Sequence, residues 1–318
     1  EKRDGTHDIA IKLLASGEKR KQVFIDGKRA PRLAQMMGML QCVIFSPEDL
    51  DLVKGGPSVR RRFLDMLLSQ LSTSYFTALQ SYQQALNQRN SLLRSMKFSD
   101  SRKNFDTLEL WEDAMARAAA VILPARADCC QRLAMEAGKR YQSISGREEE
   151  NFTLTYLPCI RESEHVREQI MQQLSQHREE DLRRGTSTFG IHREDIGLTI
   201  RGKDMRLFAS QGQIRTAALA MKLSELSVFQ DLAGEPPVLL LDDVMSELDL
   251  TRRTRLLDEI RGVQTIITCT DESDLAQREK YYPLHVSMNE QGFAQVEACE
   301  LAERQERMEA LSDDFLNE

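Results

Sequence analysis

The chain has 318 residues, 41% hydrophobic and 29% charged, with a formal net charge of −7. That length suits two domains, or one with a large insertion, in an ordinary globular protein; no span approaches the roughly 20 apolar residues a bilayer needs, and no basic-then-apolar leader is visible. Cys42, Cys129, Cys130, Cys159, Cys269 and Cys299 form no C-x-x-C pair, which argues against a zinc site or a disulfide framework and for reduced thiols in a cytosol.

Asp8 to Leu14 and Lys21 to Asp26 alternate apolar and polar residues around Ser16-Gly17-Glu18, which predicts two strands and a hairpin turn. Gln41 to Phe45 is a short apolar run suited to a buried strand. Ser46-Pro47-Glu48-Asp49 then has the chemistry of a helix start, with a Ser cap, Pro in the first position and acids in the first turn. After Gly55-Gly56-Pro57-Ser58 a helix is expected over about Val59 to Leu71. Tyr75, Leu79, Tyr82, Leu86 and Leu93 fall on one helical stripe, and Trp111, Met115, Ala118, Ile122, Cys129, Leu133, Ala137 and Tyr141 on another. A polar stretch from Ser95 to Asn104 separates them, so an antiparallel helical hairpin is predicted.

Phe152 to Leu157 alternates like a strand, and Val166, Ile170 and Leu174 mark a further helix. Ile196 to Ile200 and Met205 to Phe208 read as short strands around Arg201-Gly202-Lys203-Asp204. A helix is expected from about Gln213 to Leu232. Val238 to Leu241, a helix near Arg252 to Arg261 and Gln264 to Thr268 make a β–α–β unit, the grammar of a parallel sheet. A last hairpin spans about Leu284 to Glu300, turning at Asn289 to Gly292. Gln295 to Glu318 carries eight acidic and two basic residues, so the remainder of the chain is near neutral. Basic clusters at Lys19-Arg20-Lys21, Lys28-Arg29, Arg60-Arg61-Arg62 and Arg183-Arg184 leave room for a phosphate-binding face.

Two segments carry candidate chemistry. The apolar run Val238 to Leu241 ends in Asp242 and Asp243, at the carboxyl edge of a sheet where ligands bind in open α/β folds. Asp242 is suited to hold a hydrated Mg²⁺ through a water, and Asp243 to orient or deprotonate an attacking water. The plainer reading is a strand followed by a turn with capping acids. Upstream, Ser210-Gln211-Gly212-Gln213 opens a helix, where a hydroxyl and free backbone N–H groups make an anion site; its plainer reading is an N-cap. Arg60, Arg61 and Arg62 can pair with phosphates, or form salt bridges to neighbouring acids on a solvated face. His192 can serve chemistry or hold the turn around it.

Taken in order, Pro47 to Asp65, Tyr82 to Asn90, Gly190 to Asp195, Ser210 to Thr216 and Leu239 to Asp249 resemble the RecF family of bacterial DNA-repair ATPases, relatives of ABC and SMC proteins. The likeness runs from Ile9 to Asp271. It departs at Ile191, where the family usually has Pro, and at Ile214, where it has Gln. Asp243 stands where ABC proteins in general have Glu. No G-x-x-x-x-G-K-[ST] phosphate loop occurs in the sequence, and the resemblance places one ahead of Glu1.

The resemblance implies an α/β fold: an ABC-type ATPase head, residues 1–46 and 186–300, with a helical lobe over 47–185 and an acidic tail over 301–318. It implies ATP and Mg²⁺ as cofactors, with Ser210, Gln211, Gly212 and Gln213 meeting the ATP bound by a partner subunit. Ser246 and Asp249, in an S-x-L-D loop, would link paired sites across a homodimer. Asp242 would serve Mg²⁺, Asp243 hydrolysis, and Arg60 to Arg62 DNA. The implied activity is a slow, switch-like ATPase that clamps duplex DNA near single-strand gaps and stalled forks, working with RecR and RecO to load RecA. The alternative is a non-catalytic module that keeps the DNA and protein surfaces but does not bind ATP.

Overall fold

The computed structural model describes residues 5–13, 21–30, 36–98, 105–161, 164–270, 281–289 and 293–298. The predicted turn at 16–18, residues 99–104 of the predicted Ser95–Asn104 loop, the turn residues 290–292, Cys299 and the acidic tail lie outside them, whereas Ser95 to Phe98 are helical and not loop. The chain divides into two compact units, Glu1–Thr270 and Asp271–Glu318. In the second, β10 (Leu284–Met288) and β11 (Ala294–Ala298) pair antiparallel.

The first unit opens with β1 (Ile9–Leu13), β2 (Lys21–Ile25) and β3 (Lys28–Ala30), a three-stranded antiparallel sheet. The β2–β3 turn is Asp26-Gly27, with φ values of 50° and 74°, the left-handed pair a tight hairpin requires. After β4 (Cys42–Phe45) the chain enters helices: α1 (Asp51–Lys54), α2 (Pro57–Leu71), α3 (Thr73–Phe98) and α4 (Phe105–Ser145). Tyr75 meets Arg126 and Arg89 meets Glu112 across α3 and α4. Their numbers run in opposite directions, so the pair is antiparallel. The faces joined carry the two predicted stripes: Tyr75, Tyr82, Leu93, Met115, Ile122, Leu133 and Tyr141 are all buried.

β5 (Phe152–Leu157), α5 (Val166–Gln176), α6 (Arg178–Arg184), β6 (Asp195–Ile200), β7 (Lys203–Asp204) and α7 (Met205–Phe208) follow. β5, β6 and β7 form an antiparallel sheet. Met205 to Phe208 is therefore a helical turn and not the strand its composition suggested. Asp204 decides this by capping the turn, its Oδ1 accepting from the Arg206 N–H at 2.8 Å.

α8 (Gln211–Ala233), β8 (Val238–Asp242), α9 (Leu250–Glu259) and β9 (Thr265–Thr268) complete the unit. β4, β8 and β9 form a wholly parallel sheet in that order, Val43 opposite Leu239 and Leu241 opposite Ile267. The β–α–β reading is borne out in this register. Val43, Phe45, Leu239 and Leu241 point to one buried face, and α8 packs against β4 there. Nearly every α8 residue from Ile214 to Phe229 is buried, because the helix is also covered by α4. Ala217, Ala218 and Ala220 allow that close double contact. Arg140 of α4 ties the layers together, donating to Glu259 Oε2 at 2.6 Å and Ser227 Oγ at 2.9 Å. The ends of α8 and α9 thus rest on one long helix. No described helix is long and apolar enough to cross a membrane.

Candidate functional site

The parallel sheet delivers the paired acids to its carboxyl edge. Asp242 closes β8 opposite Thr268, the last residue of β9. Thr268 Oγ1 donates to Asp242 Oδ1 at 2.7 Å and accepts from the Asp243 N–H at 3.1 Å. One hydroxyl therefore holds both acidic residues. Asp243 has φ +51°, in the left-handed region that Asp tolerates better than most residues and that recurs at functional sites. The reversal turns the chain out of the sheet and leaves both carboxylates exposed. Ser246 Oγ donates to the Asp243 carbonyl at 3.0 Å, while buried Val244, Met245 and Leu248 anchor the loop from below.

Asp249 caps α9 through the Arg252 N–H at 2.9 Å and also holds the Arg252 guanidinium, Nη1 to Oδ2 at 2.8 Å. The other guanidinium nitrogen lies 3.3 Å from where a Cβ on Gly212 would stand. Arg252 thus joins the S-x-L-D loop to the Ser210–Gln213 turn and adds a cation to it. That turn is a full capping box: Ser210 Oγ accepts from the Gln213 N–H at 3.3 Å, and Gln213 Oε1 from the Ser210 N–H at 2.8 Å. Gln213 Nε2 then donates to buried Glu150 at 3.0 Å, locking the helix start onto the segment before β5. The amides of Gln211 and Gly212 have no acceptor inside the helix. A hydroxyl, two free amides, a helix dipole and a guanidinium converge on one exposed turn, which can hold a phosphate oxyanion.

Thr268 and Arg252 were both missed in the sequence. Thr268 had a signal: a polar residue ending an apolar strand parallel to one that ends in Asp. Arg252 had none, because only the packing of α9 brings it to Gly212.

The arginine triplet requires correction. Arg60 is 2% exposed and donates to Asp195 at 2.8 and 2.9 Å and to the Leu52 and Gly55 carbonyls at 3.2 and 2.8 Å. It is a structural ion pair and presents nothing to DNA. The signal was in the periodicity: Arg60, Phe63, Leu64, Leu67 and Leu68 are all buried on one stripe of α2. Arg61 is half-buried and donates to the Glu194 carbonyl at 2.6 Å. Arg62 is exposed and makes no ion pair among the described residues.

The other two shared segments clasp each other. Tyr82 Oη lies 2.8 Å from His192 Nδ1, and His192 Nε2 lies 3.2 Å from the Ser187 carbonyl. The carbonyl can only accept, so Nε2 carries the proton and Nδ1 accepts from the phenol. A Cβ on Gly190 would stand 2.4 Å from that phenol oxygen, and its φ is +134°, so only glycine fits. Asn90 Oδ1 accepts from the Ser187 N–H and Oγ, both at 2.7 Å. Arg89, wholly buried, donates to Glu112 at 2.9 Å, Asp181 at 2.6 Å and Ser187 at 2.7 Å. His192 is thus structural.

Burial holds the His192 pKa down at about 4, against an ordinary value near 6.5. The unfolded chain takes up this proton first, so acid favours unfolding. The His192 contribution is complete above about pH 6.5 and is lost as pH falls toward about 4. The melting temperature is expected to drop between pH 6.5 and 5, before most carboxylates titrate. In His192→Gln the curve over that range flattens; an unchanged slope contradicts a neutral buried imidazole.

No protein-family profile matches the chain. Among curated proteins it is 42% identical over 281 residues to "DNA replication and repair protein RecF" of Shouchella clausii, covering 86% of this chain and 74% of that protein. It is 40% identical over 285 residues to the protein of that name from Symbiobacterium thermophilum, covering 87% and 74%. Among solved structures it superimposes with a TM-score of 0.80 and 34% identity on the "recombination mediator protein RecF-ATPrS in RecFOR pathway", covering 91% of this chain and 76% of that one. The RecF-ATP structure of the same pathway gives a TM-score of 0.76 and 35% identity, covering 87% and 73%.

Proposed function

The chain belongs to the RecF family, an α/β fold with an ABC-type ATPase head and an inserted helical lobe, and from that premise we propose that it acts in DNA replication and repair as an ATP-dependent dimeric clamp on DNA. Its head comprises residues 1–46 and 186–300, and its helical lobe 47–185. RecF relatives solved with ATP and with an ATP analogue support the nucleotide. The observation that carries the reading is the pairing of two half-sites: acids at the edge of β8, and an anion-binding turn at the start of α8.

Two copies, head to tail, would bring Ser210 and Gly212 of one against the γ-phosphate held by the phosphate loop of the other. These 318 residues contain no such loop, so an ATP site needs one from outside them. Asp242 suits Mg²⁺ that arrives with nucleotide. Thr268 engages one carboxylate oxygen, leaving the other for a metal-bound water. Mg²⁺ commonly binds through one or two carboxylates and keeps waters and phosphate ligands, and Asp242 would be such a carboxylate. Bound Mg²⁺ would neutralise charge on the phosphates. Asp243 accepts the proton of the attacking water on its carboxylate, and the exposed edge leaves that water room. Asp is one methylene shorter than Glu, which fits slow, switch-like hydrolysis. The clamp would close on duplex DNA near single-strand gaps and stalled forks in the cytoplasm, helping RecR and RecO load RecA.

The test uses a version extended at its N-terminus by the phosphate loop of a RecF relative. Ser210→Arg is expected to leave monomer ATP affinity within about twofold while abolishing ATP-dependent dimerisation and the gain in DNA retention that ATP brings, both read in sedimentation, because the side chain fills the partner γ-phosphate space. A variant that still dimerises with ATP and still gains DNA retention on ATP addition would reduce the turn to a helix cap. The loop-free sequence also favours a second reading, a DNA and protein interaction module without ATP. Micromolar ATP binding by the unextended chain would contradict both the half-site account and that module.

A further inference from the structure

α3 spans 26 residues without a single Asp or Glu. Its buried face is accounted for by Tyr75, Tyr82, Leu86, Leu93 and the internal ion pair of Arg89. Its exposed face carries uncharged amides and hydroxyls, Gln80, Gln84, Asn87, Gln88 and Ser91, and then Arg94 and Lys97. This face is free of carboxylates over its whole length. It gives a polyanion hydrogen-bond donors and no repulsion.

The end of this face meets a second basic element. α6 packs against α3; after Arg178, which pairs with Glu112, it carries Glu179, Glu180 and Asp181 in the first turn and Arg183 and Arg184 in the last. It stops at Gly185, which has φ +74°. A Cβ there would lie 3.4 Å from Arg94 Cγ and 3.7 Å from Lys97 Cδ. The stems of Arg94 and Lys97 thus lie over the residue that follows Arg183-Arg184, bringing four exposed cations to one corner of the helical lobe. Of the described acids nearby, Asp181 is buried against Arg89 and Glu180 pairs with Arg184 at 2.7 Å, leaving Glu179 exposed on the first turn. Arg94, Lys97 and Arg183 make no ion pair among the described residues.

We infer that Arg94, Lys97, Arg183 and Arg184, with the amide face of α3, form a phosphate-backbone contact site for duplex DNA on the helical lobe. The inference rests on the DNA-binding reading above and assigns that role to a surface other than the arginine triplet. All four cations belong to one chain, so the contact needs neither nucleotide nor a second copy. Arginine and lysine contacts to phosphate release counterions and leave base sequence unread.

The experiment is fluorescence anisotropy of a labelled duplex of mixed sequence, without nucleotide, from 50 to 200 mM salt, with the 318-residue chain. The variants are Arg94→Gln/Arg183→Gln and, as a surface control on α4, Lys139→Gln. Removing two phosphate contacts is expected to weaken binding about tenfold or more. It should also make the slope of log affinity against log salt shallower by about two. The control and the melting temperatures should not change. If the wild-type chain binds and the double variant matches it in affinity and slope, the site is overturned while the DNA-binding reading stands. If the wild-type chain does not bind duplex at 50 mM salt, the site is overturned, while the ATP-dependent clamp is decided separately by the loop-extended Ser210→Arg experiment. Equal affinity for poly-glutamate of matching charge overturns the assignment in favour of a general acidic-partner surface.

Discussion

Asp243→Asn, in the loop-extended version, is expected to hydrolyse ATP about 10²–10⁴-fold more slowly, the usual worth of a positioned general base. ATP binding and ATP-dependent dimerisation should be largely kept. The separation follows from the geometry. The Asp243 backbone, through its N–H to Thr268 at 3.1 Å and its carbonyl from Ser246 at 3.0 Å, holds the loop. Its side chain is exposed and makes no contact on which the loop depends. Asparagine tolerates the left-handed φ as well as aspartate does, so the substitution removes a proton acceptor and little else. Asp242→Asn should act differently, weakening Mg²⁺-dependent ATP use. Single-turnover hydrolysis with saturating ATP distinguishes the two, and an Asp243→Asn rate equal to wild type removes the base assignment.

Arg89→Met should cost about 3–5 kcal/mol of stability, because it leaves buried Asp181 without its cation and Glu112 with Arg178 alone. Arg89, Glu112 and Asp181 side chains are all 0% exposed; Arg178 still holds both Glu112 oxygens, so most of the cost falls on Asp181. Few single domains hold more than 5–15 kcal/mol in total, so the variant sits near unfolding. Combining it with Glu112→Gln and Asp181→Asn should recover much of the loss, since neutral amides in those places avoid an unpaired buried charge. Urea unfolding measures both. A loss below about 1 kcal/mol for Arg89→Met would place this pair with ordinary surface ion pairs.

Much of the architecture was legible because it rests on periodicity. The α3 and α4 stripes, the alternating β5 and β6 and the β8–α9–β9 unit follow from burying apolar faces in a two- or 3.6-residue period. Met205 to Phe208 was misread because short apolar runs do not distinguish a strand from a turn of helix, and Asp204 supplied a cap that outweighed composition. The Arg60 error has the same root in reverse. Three adjacent arginines look like one basic patch, but successive helical residues point about 100° apart, so Arg60 faces inward and Arg62 outward. Of the site, the acids and the Ser210 turn were visible as local chemistry. Thr268 and Arg252 act by register and packing across the sheet, which one-dimensional spacing does not contain. The segments around Tyr82 and Gly190 were each recognisable by their resemblance to the family, yet the clasp they form through Arg89, Asn90, Ser187 and His192 follows only from the contacts.

The Ser210 turn of this chain is expected to complete an anion site with a phosphate loop on another subunit. Mixing two proteins that each lack one half tests this. The first is the 318-residue chain, with Ser210 intact and no loop. The second is the loop-extended Ser210→Arg variant, with a loop and a blocked turn. In sedimentation with ATP and Mg²⁺ each should remain a monomer alone, and the mixture should form a one-to-one heterodimer that dissociates when ATP is removed. A mixture that stays monomeric with ATP, while loop-extended protein with Ser210 intact dimerises, would contradict the claim that the Ser210 turn completes the site in trans.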